Sequence, residues 1–348
     1  MNQRIAFLLC CLSLMQPAMS QSGIGLPAIR NFKNADYHAA IGIWDIHQDK
    51  KGLLYFANNE GLLSFDGAHW KTYPLPHKAT IKSLAIDDSG RIYVGGEDEI
   101  GFFFPNTQGV LTYHSLTALL PTIARQFADI WNIVIWKDEV FFRTIESIFR
   151  LKNNRIQTYD APGGWRMMTK ARGRLYAEDK TKGLMVFDND RWTEAVLSSA
   201  TAALYITGIL EYRNDTLLVT TLKDGLYQLT GSTLTRKPVA ADPLLFNDRV
   251  TSAQKTVDNR YALTTNAGGI LIIDESGRLT ERFSGNEGLQ NNHVLGLLQD
   301  RDGNFWLGLE NGLSFIQYNS SVTHIYPVKN NPILSNAACL TDQRLFIG

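Results

Sequence analysis

Cysteine is scarce in this chain of 348 residues, with three in all, and two of them, Cys10 and Cys11, fall within the first twenty positions. Those positions read as an export signal, with a positive charge at Arg4, an apolar stretch from Ile5 to Met15, and small residues at Ala18 and Ser20. Cleavage is expected between Ser20 and Gln21, which leaves Cys339 as the only thiol and excludes an intramolecular disulfide. Because Cys10 and Cys11 lie inside the apolar stretch and not at its end, the lipoprotein reading is excluded as well. Long hydrophobic runs are also missing. The stretch from Ile5 to Met15 is too short to cross a bilayer, which takes roughly 20 apolar residues, and no later run is longer. Nor is there an excess of charge of either sign: 34 lysines and arginines face 34 aspartates and glutamates, and removal of Arg4 leaves the expected mature form one unit negative. Such a balance offers no electrostatic reason to bind nucleic acid or an anionic membrane.

The motifs of familiar chemistry are absent too. No Gly-x-Ser-x-Gly, no His-Glu-x-x-His, no phosphate-binding loop and no cysteine pair for a metal occurs, so no catalytic residue, metal site or cofactor is expected. Asp300-Arg-Asp-Gly-Asn304 has the opening of a calcium loop, but it lacks the later acidic ligands. It reads as a hairpin turn.

What is present is a repeat. The clearest copy runs His293-Val-Leu-Gly-Leu-Leu298, the turn Asp300-Arg-Asp-Gly303, Asn304-Phe-Trp-Leu-Gly308 and Glu310-Asn-Gly-Leu-Ser-Phe-Ile316. The first copy repeats it as Ile41 to Ile46, the turn Asp49 to Gly52, Leu53 to Phe56, Glu60 to Phe65 and His69 to Tyr73. Five more copies lie between them, with turns at Asp88-Ser-Gly90, Lys137-Asp138, Arg172-Gly173, Asn214-Asp215 and Asp258-Asn259. Their third strands begin at Gly61, Gly101, Ser147, Gly183, Gly225, Gly269 and Gly312, a spacing of 36 to 46 residues. Four short apolar runs per copy, about forty residues per copy and seven copies predict an all-β fold, a seven-bladed β-propeller of four-stranded antiparallel blades. The glycines suggest a turn with positive φ at that point.

The two ends do not fit one closed ring. Ala28 to Lys33 has the character of an orphan outer strand, yet the seventh copy is expected to have its own fourth strand at Val322 to Tyr326. The stretch Ile333 to Gly348 resembles the opening of an eighth copy. The expected organisation is therefore a signal at 1–20, a propeller at 21–328, and the start of a further blade at 329–348, with the sequence ending in mid-blade as a fragment.

The motifs Asn291 to Leu313 and Asn58 to Gly67 resemble the two-component regulator propeller repeats of exported Bacteroidetes sensor regions, and the likeness extends over nearly all of the chain after the signal. The seventh copy is specific, whereas the third and fourth have drifted. Glu99-Ile-Gly-Phe-Phe-Phe-Pro105 looks like members that continue into a triple-tyrosine domain, a membrane helix, and a histidine kinase or LuxR-type output domain. The resemblance implies a periplasmic sensor of a small molecule or oligosaccharide, joined to the membrane only through later segments and able to pair as a homodimer through its parent receptor. The competing readings are a propeller enzyme such as a lyase, and a plain interaction scaffold.

In a propeller the loops that lead into the first strands, and those joining second to third strands, share one face. That geometry nominates Arg125, Trp131, Arg143, Trp165, Arg166, Tyr205 and His293 as ligand-binding candidates, with His38, Glu146, Lys223 and Asn292 beside them. Arg125, Trp165 and Arg166 interrupt the repeat, and an arginine beside an aromatic suits acidic sugars. Trp44, Trp136 and Trp306 lie inside strand patterns and are expected to pack between blades.

Overall fold

The computed structural model describes residues 25–201, 203–325, 337–341 and 344–347. The expected signal at 1–20 and its cleavage site lie outside the described residues. Two compact units are distinguished, one spanning Ala28–Ser321 and the other formed by the residues before and after it.

The larger unit is a ring of seven four-stranded antiparallel sheets. The inner strands are Ile43–Gln48, Ile81–Ile86, Asn132–Trp136, Trp165–Ala171, Ile206–Glu211, Val250–Lys255 and Val294–Gln299. Each packs against the inner strands on either side, the seventh against the first. Five of the second strands, such as Leu54–Asn58 and Phe305–Leu309, are buried along their whole length, and those of the fourth and fifth blades along all but their first residue, because neighbouring blades cover both of their faces. This explains why their sequences barely alternate. Phe56, Phe141 and Phe305 are fully buried between blades, and each such side chain contributes roughly 1.5 to 3 kcal/mol.

The hairpins between first and second strands in the first, second and seventh blades follow one rule. The Asp49 Oδ1 accepts the N–H groups of Lys51 and Leu53 at 2.8 and 2.9 Å, and Asp87 does the same for Ser89 and Arg91. In the seventh blade the Asp300 Oδ1 accepts from Asp302 and Asn304 at 3.0 and 2.8 Å, so the carboxylate of the calcium-like sequence is spent on its own turn. The drifted third blade turns instead through Lys137 and Asp138, both at positive φ, as a two-residue hairpin of this hand requires.

Glycine at the start of the third strand has a cause beyond φ. A Cβ on Gly61 would stand 2.4 Å from the Tyr73 carbonyl oxygen, where the fourth strand ends, and Gly101 meets the His114 carbonyl at 2.5 Å in the same way. Gly61 has φ of 125°, whereas Gly101 is not among the residues of positive φ, so the expectation of a positive φ fails there. Close approach of the fourth strand is the shared reason.

The ring closes with a strand from the N-terminal side. Ile29–Phe32 lies antiparallel to Gly312–Ile316, with Ile29 opposite Ile316 and Phe32 opposite Leu313. It is the outer strand of the seventh blade. The fourth strand expected at Val322 to Tyr326 is therefore corrected: Val322 to Ile325 form no strand, and Val322 and Ile325 are exposed. Ile29 and Phe32 supply the apolar contacts that Val322 and Ile325 do not, Phe32 packing among Phe65, Trp70 and Trp306. Gln290 Nε2 donates to the carbonyls of Phe32 and Leu313, which pins the added strand.

In the smaller unit, Leu26 and His324 exchange backbone hydrogen bonds. Ala338–Thr341 pairs with Arg344–Ile347 in a hairpin, within the stretch where a further blade was expected to start.

Candidate functional site at the channel mouth

Six of the seven inner strands open with the same irregularity. In the first blade Ile43 pairs with Asn58 and Asp45 with Ala57, leaving Trp44 without an opposite residue. Lys82, Thr207, Thr251 and Leu295 hold the same place in the second, fifth, sixth and seventh blades. In the fourth, Arg166 and Met167 together face the single residue Glu178. A β-bulge re-aims its extra side chain, and here every one of them is aimed into a cavity of about 340 Å³ at one mouth of the channel. The third blade has no bulge and reaches the same cavity with Trp131, Asn132 and Arg143.

The lining is uneven. Thr207, Thr251, Ser252 and Leu295 make one side uncharged, and the other side is aromatic and charged, with Lys82, Arg143 and Arg166 and the carboxylate of Asp45, which accepts the N–H groups of Ile46 and Leu84. The Lys82 ammonium sits 3.4 Å from the centre of the Trp44 ring, an attraction that strengthens with desolvation, and burial lowers the pKa of this lysine. Trp131 meets Trp44 edge to face at 6.2 Å, and the Trp44 indole N–H donates to Asn59 Oδ1 at 2.7 Å.

Two arginines occupy the same wall. Arg143 is 6% exposed; its Nε donates to Asn132 Oδ1 at 2.7 Å and its Nη1 to the Trp165 carbonyl at 2.8 Å. Burial pulls its pKa down to about 10, against the pull of Tyr205 and Glu178. The Arg166 Nη1 donates to Glu178 Oε1 at 3.1 Å and to the Leu204 carbonyl at 2.9 Å, and its guanidinium lies 4.9 Å from the centre of the Tyr205 ring. Glu178 is 1% exposed, and its Oε2 accepts the Ile206 N–H at 3.1 Å. Burial pushes its carboxyl up to about 7, although Arg166 and the Ile206 N–H favour the charged form. On the opposite rim the His293 ring stands 3.3 Å from Glu310.

The structure thus brings together Trp131, Arg143, Arg166, Tyr205 and His293, five of the seven candidates. It does not bring in Arg125 or Trp165. Arg125 donates to the carbonyls of Leu120 and Ala118 and so ties down the loop between the second and third blades. Trp165 is buried, with its N–H on the Tyr159 carbonyl and its ring against Trp192. Of the secondary candidates, Asn292 is spent on the N–H of Gly285 and His38 is the left-handed cap of a short helix. Trp306 packs in the core as expected. Trp44 does not pack only between blades, and it lines the mouth with Lys82 and Asn132; sequence reasoning passed over these two and also Glu178, which is buried behind Arg166. The signal that marks the bulge residues is positional: each follows the buried residue that opens an inner strand.

The fold is shared with solved structures. The extracellular domain of BT4673, described as a hybrid two component system of B. thetaiotaomicron, matches with a TM-score of 0.66 and 17% identity, over 85% of this chain and 40% of that one. The corresponding domain of BT3049 from the same organism matches with a TM-score of 0.67 and 19% identity, over 93% of this chain and 47% of that one. Virginiamycin B lyase from Staphylococcus aureus matches with a TM-score of 0.66 and 15% identity, over 83% of this chain and 98% of the enzyme. The chain therefore spans less than half the length of the two sensor domains. No curated protein matches it in sequence. Residues 288–311, in the seventh blade, match the family described as two component regulator propeller. The propeller accordingly carries the two component regulator repeat that its motifs resembled.

Proposed function

We propose that this propeller is a ligand-sensing domain of a signal-transduction protein, and that the channel mouth is where the ligand binds. The observation that carries the reading is the set of bulges: six blades bend the start of an inner strand so that one side chain each meets in a single cavity. Similarity to extracellular domains of two component systems supports a sensing role on the outer side of the membrane, in the periplasm. Among the described residues no helix is long and apolar enough to cross a membrane.

An oligosaccharide fits the lining best. Trp44, Trp131 and Tyr205 offer ring faces and edges for sugar rings, and Thr207, Thr251 and Asn132 offer hydrogen bonds to hydroxyls. The reading is of binding, with Glu178 held by Arg166 and the Ile206 N–H. The test is thermal unfolding of the full chain with a panel of neutral and acidic oligosaccharides. A ligand that binds only the folded state raises the midpoint. A rise that Trp44→Ala removes supports the site, and a cooperative transition that no sugar moves sinks the oligosaccharide assignment.

A further inference from the structure

The channel wall holds a positive charge that no carboxylate matches directly. Arg143 is nearly buried, yet its hydrogen-bond partners, Asn132 Oδ1 and the carbonyls of Thr144 and Trp165, are all neutral. Among the described residues no acidic group forms a salt bridge with it, and its Nη2 makes no hydrogen bond. A guanidinium withdrawn from water without a counter-ion is costly, and such a cost at the edge of a cavity marks a place for a ligand. Arg166, on the same wall, spends only Nη1, on Glu178 and Leu204. Its Nε and Nη2 have no partner among the described residues. Two guanidinium edges are thus left for an acceptor from outside, and the guanidinium fork matches oxyanions in bidentate fashion.

We infer that Arg143 and Arg166 form a site for an oxyanion group of the ligand, a carboxylate or a sulfate ester, and that Glu178 is an internal competitor for it. The inference rests on the sensing reading and adds a chemical requirement to it. While Glu178 is ionised, its charge satisfies Arg166 and repels a second anion. When Glu178 takes a proton from solvent, Arg166 is released and the ligand's oxyanion becomes the counter-ion of both arginines. The groups that face Glu178 are Arg166 on the adjacent inner strand, Arg143 from the third blade, and the Ile206 N–H from the fifth. Asp179, next in the chain, is turned to Thr181. With the Glu178 carboxyl at about 7, anion affinity rises as pH falls through that value, by about tenfold between pH 8 and pH 6.

The experiment is calorimetric titration of the full chain with sodium sulfate, sodium acetate, digalacturonate and the neutral disaccharide maltose, at about pH 6 and pH 8 and fixed ionic strength. At least one of the anions is expected to bind about tenfold more tightly at the lower pH. Glu178→Gln, neutral and of the same shape, is expected to bind that anion equally well at both. Arg166→Met is expected to lose anion binding, and serves where Arg143→Met fails to fold. Absence of binding by all three anions, or a Glu178→Gln variant that keeps the pH dependence, overturns the inference. Maltose binding with no gain from an acidic group overturns it while leaving the sensing site intact, whereas anion binding without maltose binding supports it and removes only the neutral-sugar reading.

Discussion

The third and seventh blades share a plan and differ in almost every detail of sequence. The seventh keeps the Asp300 turn, the third-strand glycine and the inner-strand bulge, and it gives the channel little chemistry beyond His293, Val294 and Leu295. The third has lost all three marks, with Lys137-Asp138 at the turn, Ser147 in place of glycine and an unbroken inner strand. It carries two buried arginines. Arg150 is matched by Glu139 at 2.6 Å and by Asp190 at 2.6 Å, whereas Arg143 is not matched. The faithful repeat receives the strand that closes the ring, and the drifted one places a buried guanidinium without a carboxylate partner on the channel wall.

This contrast can be broken from either side. The largest effect is expected at the joint of the seventh and first blades: Trp306→Ala removes a buried ring that also donates to Asp300, and Phe32→Ala removes the anchor of the closing strand. Each should lower stability by about 3 to 5 kcal/mol, read from denaturant unfolding, without altering anion selectivity. Next comes Glu178. Because burial raises its carboxyl from 4.5 to about 7, the folded state binds the extra proton between those values. The protein should lose roughly 2 to 3 kcal/mol as pH rises from about 4.5 to about 7, and Glu178→Gln should flatten that slope in a pH series of unfolding curves. A smaller effect separates the two third-strand starts. Gly312→Ser places a Cβ 2.6 Å from the Phe32 carbonyl at φ of 142° and should cost more than 1 kcal/mol. The reverse change, Ser147→Gly, gives up a hydrogen bond to Asp160 at 2.6 Å and some backbone rigidity, and should cost about 1 kcal/mol. Smallest of all, Arg125→Ala should loosen its loop by about 0.5 kcal/mol and leave every ligand titration unchanged.

The number of blades was legible because a hairpin leaves a local mark, such as Asp49 with Gly52, and seven such marks at regular intervals admit few arrangements. Closure was not legible. Val322 to Tyr326 has as good a strand composition as Ile29 to Phe32, and only packing against Phe65, Trp70 and Trp306 decides between them. The bulges were hidden for a related reason: a one-residue slip in pairing leaves no trace in composition, so Trp44 read as one more aromatic in a strand. Arg125 and Trp165 drew notice by interrupting the repeat, but an interruption can serve the backbone of a loop as readily as a ligand. Glu178 carries no mark in sequence, because its burial depends on residues from the third and fifth blades.

The closing strand also sets an order of events. Asn31 and Ser314 are bonded side chain to side chain across 283 positions, and tying a loop of that length costs roughly 5 kcal/mol of chain entropy beyond the constant for any loop. That contact cannot form until the seventh blade has been made. The closing strand is therefore a latch between the two ends of the ring: without the segment around Ile29 to Phe32, the strand Gly312–Ile316 would have no outer partner.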